Sequence, residues 1–419
     1  MIRPRVIDGR YRRLRFVSGG LLLALFFGAP WLQWGGRQAL WWDLPGRQLH
    51  LGASTFWPQD LSLLAGVLAA AAFGLFVATV YAGRIWCGYA CPQSLWLWMF
   101  HFCQRATEGR RGRPTLPRRL AKHSLWLLLA LVTGFTLVGY FSPIRQLPQH
   151  LGLNAASLWL GLVTLATWLN AGWLREQVCV HLCPYGRFQS VMLDRDSLIV
   201  AYDATRGEPR AHLGQGGDCV DCTLCVQVCP TGIDIRDGLQ AACLSCGACA
   251  DACDSVMRKL ARPEGLVRYA SEHALAGART HWLRPRLLGY VAVLMLISAG
   301  LGWALAQRPL LALDVSKDRL LYRQSADGRL ENVYRLTLAN KTDRPRHYRL
   351  TASGPVGLEL QGATQVEVPA QSQASQPVRL VLGQQALAGG SAVVQFIATD
   401  TEDSTRSAYA ESRFTGPQP

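Results

Sequence analysis

Five long apolar runs without a charged side chain divide the first three hundred residues of the chain. Each run has 15 to 21 residues, close to the length that an α-helix needs to cross a hydrocarbon core of about 30 Å. A segment inside a bilayer must satisfy its backbone hydrogen bonds internally, so these runs are predicted to be membrane-spanning helices. They cover residues 17–32, 61–81, 125–141, 155–169 and 287–305. A further apolar run, residues 95–103, is too short to span and is predicted to be interfacial or re-entrant.

Basic residues concentrate in alternate loops between these runs. Six arginines precede the first run, residues 83–123 contain eight basic residues, and residues 175–286 are rich in arginine. Residues 35–60 contain only two arginines, and residues 142–154 contain one. Because cytoplasmic loops carry an excess of Lys and Arg, the N-terminus and residues 175–286 are predicted to be cytoplasmic and the C-terminus external. This pattern explains the net charge of +15 better than nucleic-acid binding does, so we expect no nucleic-acid partner.

The chain after residue 306 differs in character from the rest. It contains no Cys, Met or Trp, and about seven short β-rich runs alternate with turn residues. Seven short strands in roughly 100 residues indicate a β-sandwich of immunoglobulin type. The runs are residues 319–323, 333–338, 347–352, 364–368, 378–382, 393–398 and 408–414.

Eight of the thirteen cysteines lie between residues 219 and 253, in two runs with the same spacing. In each run, three cysteines separated by two residues are followed, after three residues, by a fourth. A four-iron cluster needs four thiolates, and in two-cluster ferredoxins the fourth ligand of each cluster comes from the other run. The predicted ligand sets are Cys219, Cys222, Cys225 and Cys253 for one cluster, and Cys243, Cys246, Cys249 and Cys229 for the other.

Zinc is the main alternative for these cysteines, because zinc ribbons also use paired cysteines. The spacing of the runs and the proline after Cys229 favour iron–sulfur clusters. Asp254 follows Cys253 where a proline would match the first run, so the geometry of the last ligand is less well defined. Dense cysteines in a large chain indicate metal rather than disulfides and therefore a reducing compartment.

Two further cysteine pairs have three residues between their members and a proline directly after them. They are Cys87 with Cys91, and Cys179 with Cys183. A spacing of four places two sulfurs on one helix face, and the proline is predicted to end or kink that helix. Two such pairs could form a four-sulfur site for Cu(I) or an iron–sulfur cluster, or they could be structural cysteines. His181, His101 and Cys103 are weaker candidates for a site.

Four segments resemble the family of cytochrome oxidase accessory proteins called CcoG, FixG or RdxA. They are RIWCGYACPQ (84–93), CPYGRFQSVM (183–192), CVQVCPTGIDIRDGLQ (225–240) and CLSCGACADACD (243–254). The resemblance implies a multi-pass protein of the bacterial inner membrane, with a periplasmic C-terminal domain, that helps to mature a cbb-type haem–copper oxidase. It also implies reduction of Cu(II), with copper as substrate, and copper chaperones or oxidase subunits as partners. It further implies that the eight cysteines hold the clusters and that Cys87, Cys91, Cys179 and Cys183 take part in redox or copper chemistry.

These features together predict a membrane protein of several domains. It has an all-α region of five transmembrane helices, an inserted ferredoxin-like α+β module for two clusters, and a C-terminal all-β immunoglobulin-like sandwich. The predicted boundaries are a basic N-terminus (1–15), four helices (16–175), the ferredoxin-like module (176–285), the fifth helix (286–306) and the sandwich (307–419).

Three functions remain open on the sequence. The first is a cupric reductase that serves oxidase assembly. The second is a quinol dehydrogenase subunit, like the membrane ferredoxins that feed periplasmic reductases. The third is a scaffold without enzymatic activity, in which the clusters are structural or sensory.

Overall fold

The computed structural model describes residues 4–109, 115–210, 216–318, 322–325, 328–387 and 390–417. The chain forms two compact units, Met1–Leu49 with Pro58–Gly302 and His50–Trp57 with Trp303–Pro419. Within the described ranges the α-helices are α1 (Arg10–Gly28), α2 (Leu61–Ala82), α3 (Ile85–Tyr89), α4 (Pro92–Glu108), α5 (Leu116–Val138), α6 (Ala155–Thr167), α7 (Pro184–Met192), α8 (Ala204–Gly207), α9 (Leu224–Gln227), α10 (Ala248–Lys259), α11 (Glu272–Leu275) and α12 (Pro285–Ala306).

The longest strands of the described residues lie in the second unit. They are β1 (Gln33–Trp34), β2 (Arg37–Gln38), β3 (Leu40–Asp43), β4 (Gln48–Leu51), β5 (Ser54–Phe56), β6 (Ile199–Tyr202), β7 (Val267–Ala270), β8 (Leu311–Lys317), β9 (Arg323–Gln324), β10 (Leu330–Asn340), β11 (Arg346–Ser353), β12 (Glu359–Gly362), β13 (Gln365–Val368), β14 (Ser372–Leu382), β15 (Ser391–Asp400) and β16 (Ser407–Thr415).

The prediction of five spanning helices is confirmed. Five helical segments are long and apolar enough to cross a membrane: Arg10–Trp31, Pro58–Ala82, Leu116–Val138, Ala155–Leu174 and Pro285–Ala306. Large apolar side chains on these helices point outward, as Leu21, Leu68 and Leu296 do with exposed fractions of 70%, 63% and 73%. An outward apolar face is stable only where lipid replaces water.

The short apolar run at residues 95–103 belongs to a longer helix. Helix α4 has 17 residues, and its Phe100 packs with Trp126, Ala130 and Ala171 in a buried cluster. The indole Nε1 of Trp126 donates a hydrogen bond of 3.0 Å to the carbonyl of Phe100. The apolar run covers only part of α4, because most residues later in the helix are polar.

The cysteine-rich segment forms a small α+β module in the first unit. Its two-stranded antiparallel sheet pairs β6 with β7, and Val200 lies opposite Tyr269. Helices α9 and α10 complete the module, and its buried core includes Val200, Ile235, Ala250 and Met257. The module therefore has an apolar centre against which the cysteine loops pack.

The second unit is an antiparallel β-sandwich, which confirms the immunoglobulin-like prediction. One sheet has the order β12-β14-β10-β8 with β9 also paired to β10, and the other has the order β13-β11-β15-β16. Alternate residues of the long strands face inward, and Tyr334, Leu336, Leu380 and Phe396 form part of the core. Of the predicted run 319–323, residues 319–321 lie outside the described residues, and the first strand of the sandwich is β8 instead.

Candidate metal centres

The two cysteine runs fold into loops with matching backbone conformations. In the first loop, the residues on either side of the middle cysteine, Asp221 and Thr223, have positive φ angles of 49° and 52°. The corresponding residues of the second loop, Ser245 and Gly247, have φ angles of 49° and 70°. Left-handed conformations are uncommon for residues other than glycine. Their recurrence at equivalent positions shows that the repeated spacing produces the same loop twice.

A helix begins at the end of each loop and separates the third cysteine from the fourth. Cys225 lies in α9 and Cys249 lies in the first turn of α10. Cys229 is the second residue after the end of α9, and Cys253 lies one turn further along α10. Each helix can therefore offer its third cysteine to one centre and its fourth to the other.

Two cavities in the module bring together the predicted ligand sets. One cavity is bordered by five cysteines, which are Cys225, Cys229, Cys243, Cys246 and Cys249. The other cavity is bordered by four cysteines together with Arg236, Tyr202 and Met257. These four cysteines are Cys219, Cys222, Cys225 and Cys253.

The cysteines that raise the pKa of Cys253, and those that raise the pKa of Cys243, belong to the same predicted ligand set as the thiol they affect. Burial raises the pKa of Cys253 to about 12, a value to which Cys225, Asp254, Cys222 and Cys219 also contribute. Burial also raises the pKa of Cys243 to about 11, with Cys246 and Cys229 adding to the effect. Four thiolates facing one apolar cavity repel one another unless a cationic centre compensates their charge.

The residues therefore fit two four-iron clusters. A cluster keeps its four thiolates further apart than a single ion does, and no three of these described cysteines bring their sulfurs within 4.8 Å of one another. A tetrahedral zinc ion with Zn–S bonds of about 2.3 Å would need sulfurs roughly 3.8 Å apart. The apolar lining and the interlocked cysteines agree with iron–sulfur ligation.

The two remaining cysteine pairs occupy the junctions between successive helices. The second cysteine of each pair is an N-cap, Cys91 for α4 and Cys183 for α7, and the proline is the first residue of that helix. Cys87 lies in α3, whereas Cys179 lies in the π-helical turn Val178–Leu182. The expectation that each pair shares one helix face was wrong. Proline is favoured at the first helical position, where its missing N–H costs nothing, so it starts a new helix after each pair.

The four thiols of these pairs nevertheless lie near one another. Burial and, to a smaller extent, the neighbouring thiols of Cys91, Cys179 and Cys183 together raise the pKa of Cys87 to about 12. The thiol of Cys87 donates a hydrogen bond of 3.3 Å to Oε1 of Gln189, a side chain with no exposed surface. All four thiols are partly buried.

The first pair packs directly on the second cysteine loop of the module. Gly88 follows Cys87, and a Cβ atom there would lie 2.7 Å from the carbonyl oxygen of Ser245 and 3.2 Å from the Cα of Cys246. Only glycine allows this approach without movement of a backbone. The loop that carries Cys243 and Cys246 is thus in contact with the segment that carries Cys87.

Arg84 joins both cysteine pairs to this loop. Its guanidinium donates to the carbonyls of Ala241 and Cys243, the latter at 3.2 Å, and also to the carbonyl of Gly186, which follows the second pair. The side chain is buried, with 5% of its surface exposed. The guanidinium group is planar and carries five N–H donors, so one arginine can donate to several carbonyl oxygens at once.

Other residues singled out from the sequence lie elsewhere. His181 is exposed in the π-helical turn, and Cys103 packs beside the core of α4 and α5. His101 lies on α4, away from both cavities. Arg84 and Gly88 were not predicted, because their roles depend on contacts with residues more than 150 positions away.

Comparisons with known proteins agree with this architecture. Residues 301–417 match the family model of the "IG-like fold at C-terminal of FixG". Residues 174–216 and 210–272 match the model of a 4Fe–4S dicluster domain. The matches coincide with the sandwich and with the module that contains the two cavities.

Several curated proteins are similar over most of the chain. Protein RdxA of Cereibacter sphaeroides is 36% identical over 413 residues, covering 90% of this chain and 88% of its own. Nitrogen fixation protein FixG of Rhizobium meliloti is 36% identical over 412 residues, covering 84% and 79%. Ferredoxin-type protein NapH of Haemophilus influenzae is 27% identical over 272 residues, covering 58% and 85%.

The spanning helices, the dicluster module and the two interlocked cysteine sets define a membrane-bound, ferredoxin-like iron–sulfur protein that transfers electrons. The extent of the similarity then gives the family. The chain belongs to the FixG/RdxA family.

Proposed function

We propose that this protein reduces Cu(II) to Cu(I) in the bacterial inner membrane and thereby serves the assembly of a cbb-type cytochrome oxidase. Each copper ion takes up one electron. Reduction matters because soft sulfur ligands hold and exchange copper as Cu(I). The contact of Gly88 with the loop of Ser245 and Cys246 is the observation that carries the proposal, because it joins the cluster module to a thiol pair that suits Cu(I).

The residues of the chain have distinct roles in this proposal. Two four-iron clusters, held by the eight cysteines of the module, supply one-electron transfer. Arg84 and Gly88 hold Cys87 and Cys91 against the second loop, and Gln189 fixes the thiol of Cys87. Cys87 and Cys91 bind the copper ion, and Cys179 and Cys183 lie beside them; no three of these four described sulfurs lie within 4.8 Å of one another, so the two pairs do not enclose one ion together. Burial keeps Cys87 protonated at neutral pH, so binding of copper displaces its proton to water.

The two cysteine loops differ in exposure, which suggests a direction for electrons. Cys222 in the first loop is exposed, whereas Cys243 and Cys246 in the second loop are buried. A soluble electron donor would dock near Cys222, and the second loop would face the thiol pairs. We further propose that the module lies in the cytoplasm and the sandwich in the periplasm, where the sandwich docks a copper chaperone or an oxidase subunit.

The test separates the thiol pairs from the clusters. Full-length protein carrying both Cys87→Ser and Cys91→Ser is purified without oxygen and reduced with dithionite. Its reoxidation by Cu(II) is then followed with a chromogenic chelator for Cu(I). We expect full iron content and unchanged cluster EPR signals, but reoxidation slower by about tenfold or more, since serine is a poor ligand for soft metals. Cys103→Ser, which lies outside every motif, is the matched control and should behave as wild type.

Two results would contradict the proposal. Reoxidation at the wild-type rate in the double variant would mean that copper does not use this thiol pair. Loss of iron from the double variant would mean that the pair helps to build the clusters.

A second function is favoured by the similarity to ferredoxin-type protein NapH, which covers 58% of this chain. On this alternative, the protein is a quinol dehydrogenase subunit that feeds a periplasmic reductase. Reduction of the clusters by a quinol analogue, with no response to Cu(II), would favour it.

A further inference from the structure

Three potential metal ligands meet outside the cysteine sites, at the start of α12. Asp196 follows α7, His273 lies in α11, and His281 precedes α12 by four residues. One ligand atom from each lies within 4.8 Å of the other two. The sequence gives little sign of this group, because 77 residues separate Asp196 from His273.

The distances within the group suit a single metal ion. Oδ1 of Asp196 lies 2.8 Å from Nδ1 of His273 and 3.5 Å from Nδ1 of His281. Nitrogen and oxygen ligands bind a first-row metal at about 2.1 Å, so two of them stand about 3.0 Å apart at a right angle and about 3.4 Å apart at the tetrahedral angle. The two measured distances lie close to these values.

The position of the carboxylate is fixed by the surrounding backbone. The backbone N–H of His281 donates to Oδ1 of Asp196 at 2.9 Å, and the N–H of Asp196 donates to Asp194 at 3.0 Å. The hydroxyl of Ser197 donates to the carbonyl of Val80 at the end of α2. The loop is thus anchored to a spanning helix, and a preorganised donor set loses little entropy when it binds a ligand.

The charge around Asp196 leaves room for a cation. In the part of the chain that the structure describes, Asp196 forms ion pairs with the two histidines and with no arginine or lysine. Arg284, which precedes α12, pairs with Asp194 at 3.1 Å. Asp196 is 13% exposed and His281 is 69% exposed. An ion could therefore reach the carboxylate from solvent and keep water in its remaining positions.

We propose that Asp196, His273 and His281 form a mononuclear site for a divalent first-row transition metal, with Cu²⁺ preferred. Two imidazoles and a carboxylate suit Cu²⁺ and Zn²⁺ rather than Ca²⁺ or Mg²⁺, and Cu²⁺ binds most tightly in the divalent series. This site uses no cysteine and requires no reduction, so it goes beyond the proposed function. The alternative is a set of hydrogen bonds that joins the loop to α11 without any metal.

The experiment adds one equivalent of Cu²⁺ to oxidised, full-length protein in which Cys87, Cys91, Cys179 and Cys183 are all serine. This background removes thiols that could capture or reduce the ion. We expect one Cu²⁺ per chain, with an EPR signal split by two nitrogen nuclei. In that background, His281→Ala should weaken binding by about tenfold or more and should remove one nitrogen from the spectrum. His150→Ala, an exposed histidine elsewhere in the first unit, should leave both unchanged.

A second variant distinguishes ligation from folding. His273→Gln keeps a hydrogen-bond donor for Asp196 but removes an imidazole, so it should unfold at the wild-type temperature while losing Cu²⁺ affinity. Cu²⁺ binding without nitrogen splitting, or equal binding by wild type and both site variants, would overturn the proposal. Zn²⁺ that binds without competition from Cu²⁺ would overturn the stated preference.

Discussion

The contact at Gly88 predicts a measurable effect of a single methyl group. In Gly88→Ala the new Cβ would lie 2.7 Å from the carbonyl oxygen of Ser245 and 3.0 Å from that of Leu244, whereas ordinary contact begins near 3.4 Å. The two backbones must therefore separate by about 0.7 Å. Neither can move freely, because Ser245 is buried and its loop carries Cys243 and Cys246. Overpacking of this kind costs about 1–3 kcal/mol, which alanine offsets by up to about 1 kcal/mol through its higher helix propensity.

Two assays measure the consequence. Thermal unfolding of the detergent-solubilised protein should show a Tm that is lower by about 2–4 °C for each kcal/mol lost. Reoxidation of the reduced protein by Cu(II) should be slower, because the segment that carries Cys87 has moved away from the loop. Gly74→Ala is the matched control: it lies in α2 and its Cβ would have no neighbour within 4 Å, so both values should remain at or above those of wild type. A Gly88→Ala protein with unchanged Tm and unchanged reoxidation would refute the close contact.

Four further predictions follow from the geometry. Anaerobically purified protein should contain about eight iron atoms per chain. Cys229→Ser should damage the cluster of the second loop, and Cys253→Ser should damage the cluster of the first loop. Stoichiometric zinc without iron would contradict the assignment of iron–sulfur clusters. Epitope tags should place the two termini on opposite sides of the membrane, and detection of both tags in intact spheroplasts would mean that the number of spans is wrong. Arg84→Lys should lower stability by about 1–3 kcal/mol in thermal unfolding, since one ammonium cannot satisfy three separated carbonyls; an unchanged Tm would exclude that role. Asp251→Ala should lower the free energy of unfolding by about 1–2 kcal/mol, because the carboxylate accepts hydrogen bonds from two N–H groups at the start of α1. A Tm equal to that of wild type would argue against this capping role.

Features with a local cause could be predicted from the sequence. The apolar runs gave the five spanning helices because a bilayer imposes a minimum length and excludes charge. The cysteine spacing gave the ligand sets that border the two cavities, since a C-x₂-C-x₂-C loop can close only around a compact centre. Alternating apolar residues indicated most strands of the sandwich, but β8 and β12 were not predicted.

Features that depend on contacts between distant residues could not be predicted. Nothing near Arg84 in the sequence indicates that its partners are Ala241, Cys243 and Gly186. The grouping of His273 with Asp196 also requires the folded chain. The prediction that both cysteines of a pair lie on one helix face was wrong. It assumed one continuous helix up to the proline, whereas the second cysteine caps a new helix that the proline begins.

The carboxylate of Asp251 has a consequence for the order of events during synthesis. It caps the first spanning helix by accepting hydrogen bonds from the backbone N–H groups of Tyr11, at 3.1 Å, and Arg12, at 2.8 Å. A ribosome that adds about 5–20 residues per second needs roughly 12–48 s to reach Asp251 after Tyr11, since 240 positions separate them. The first helix must therefore enter the bilayer with an incomplete N-terminus. Because Asp251 lies between Cys249 and Cys253, which border different cavities, the N-terminal end of the first spanning helix gains this hydrogen-bond partner only when the cysteine module has folded.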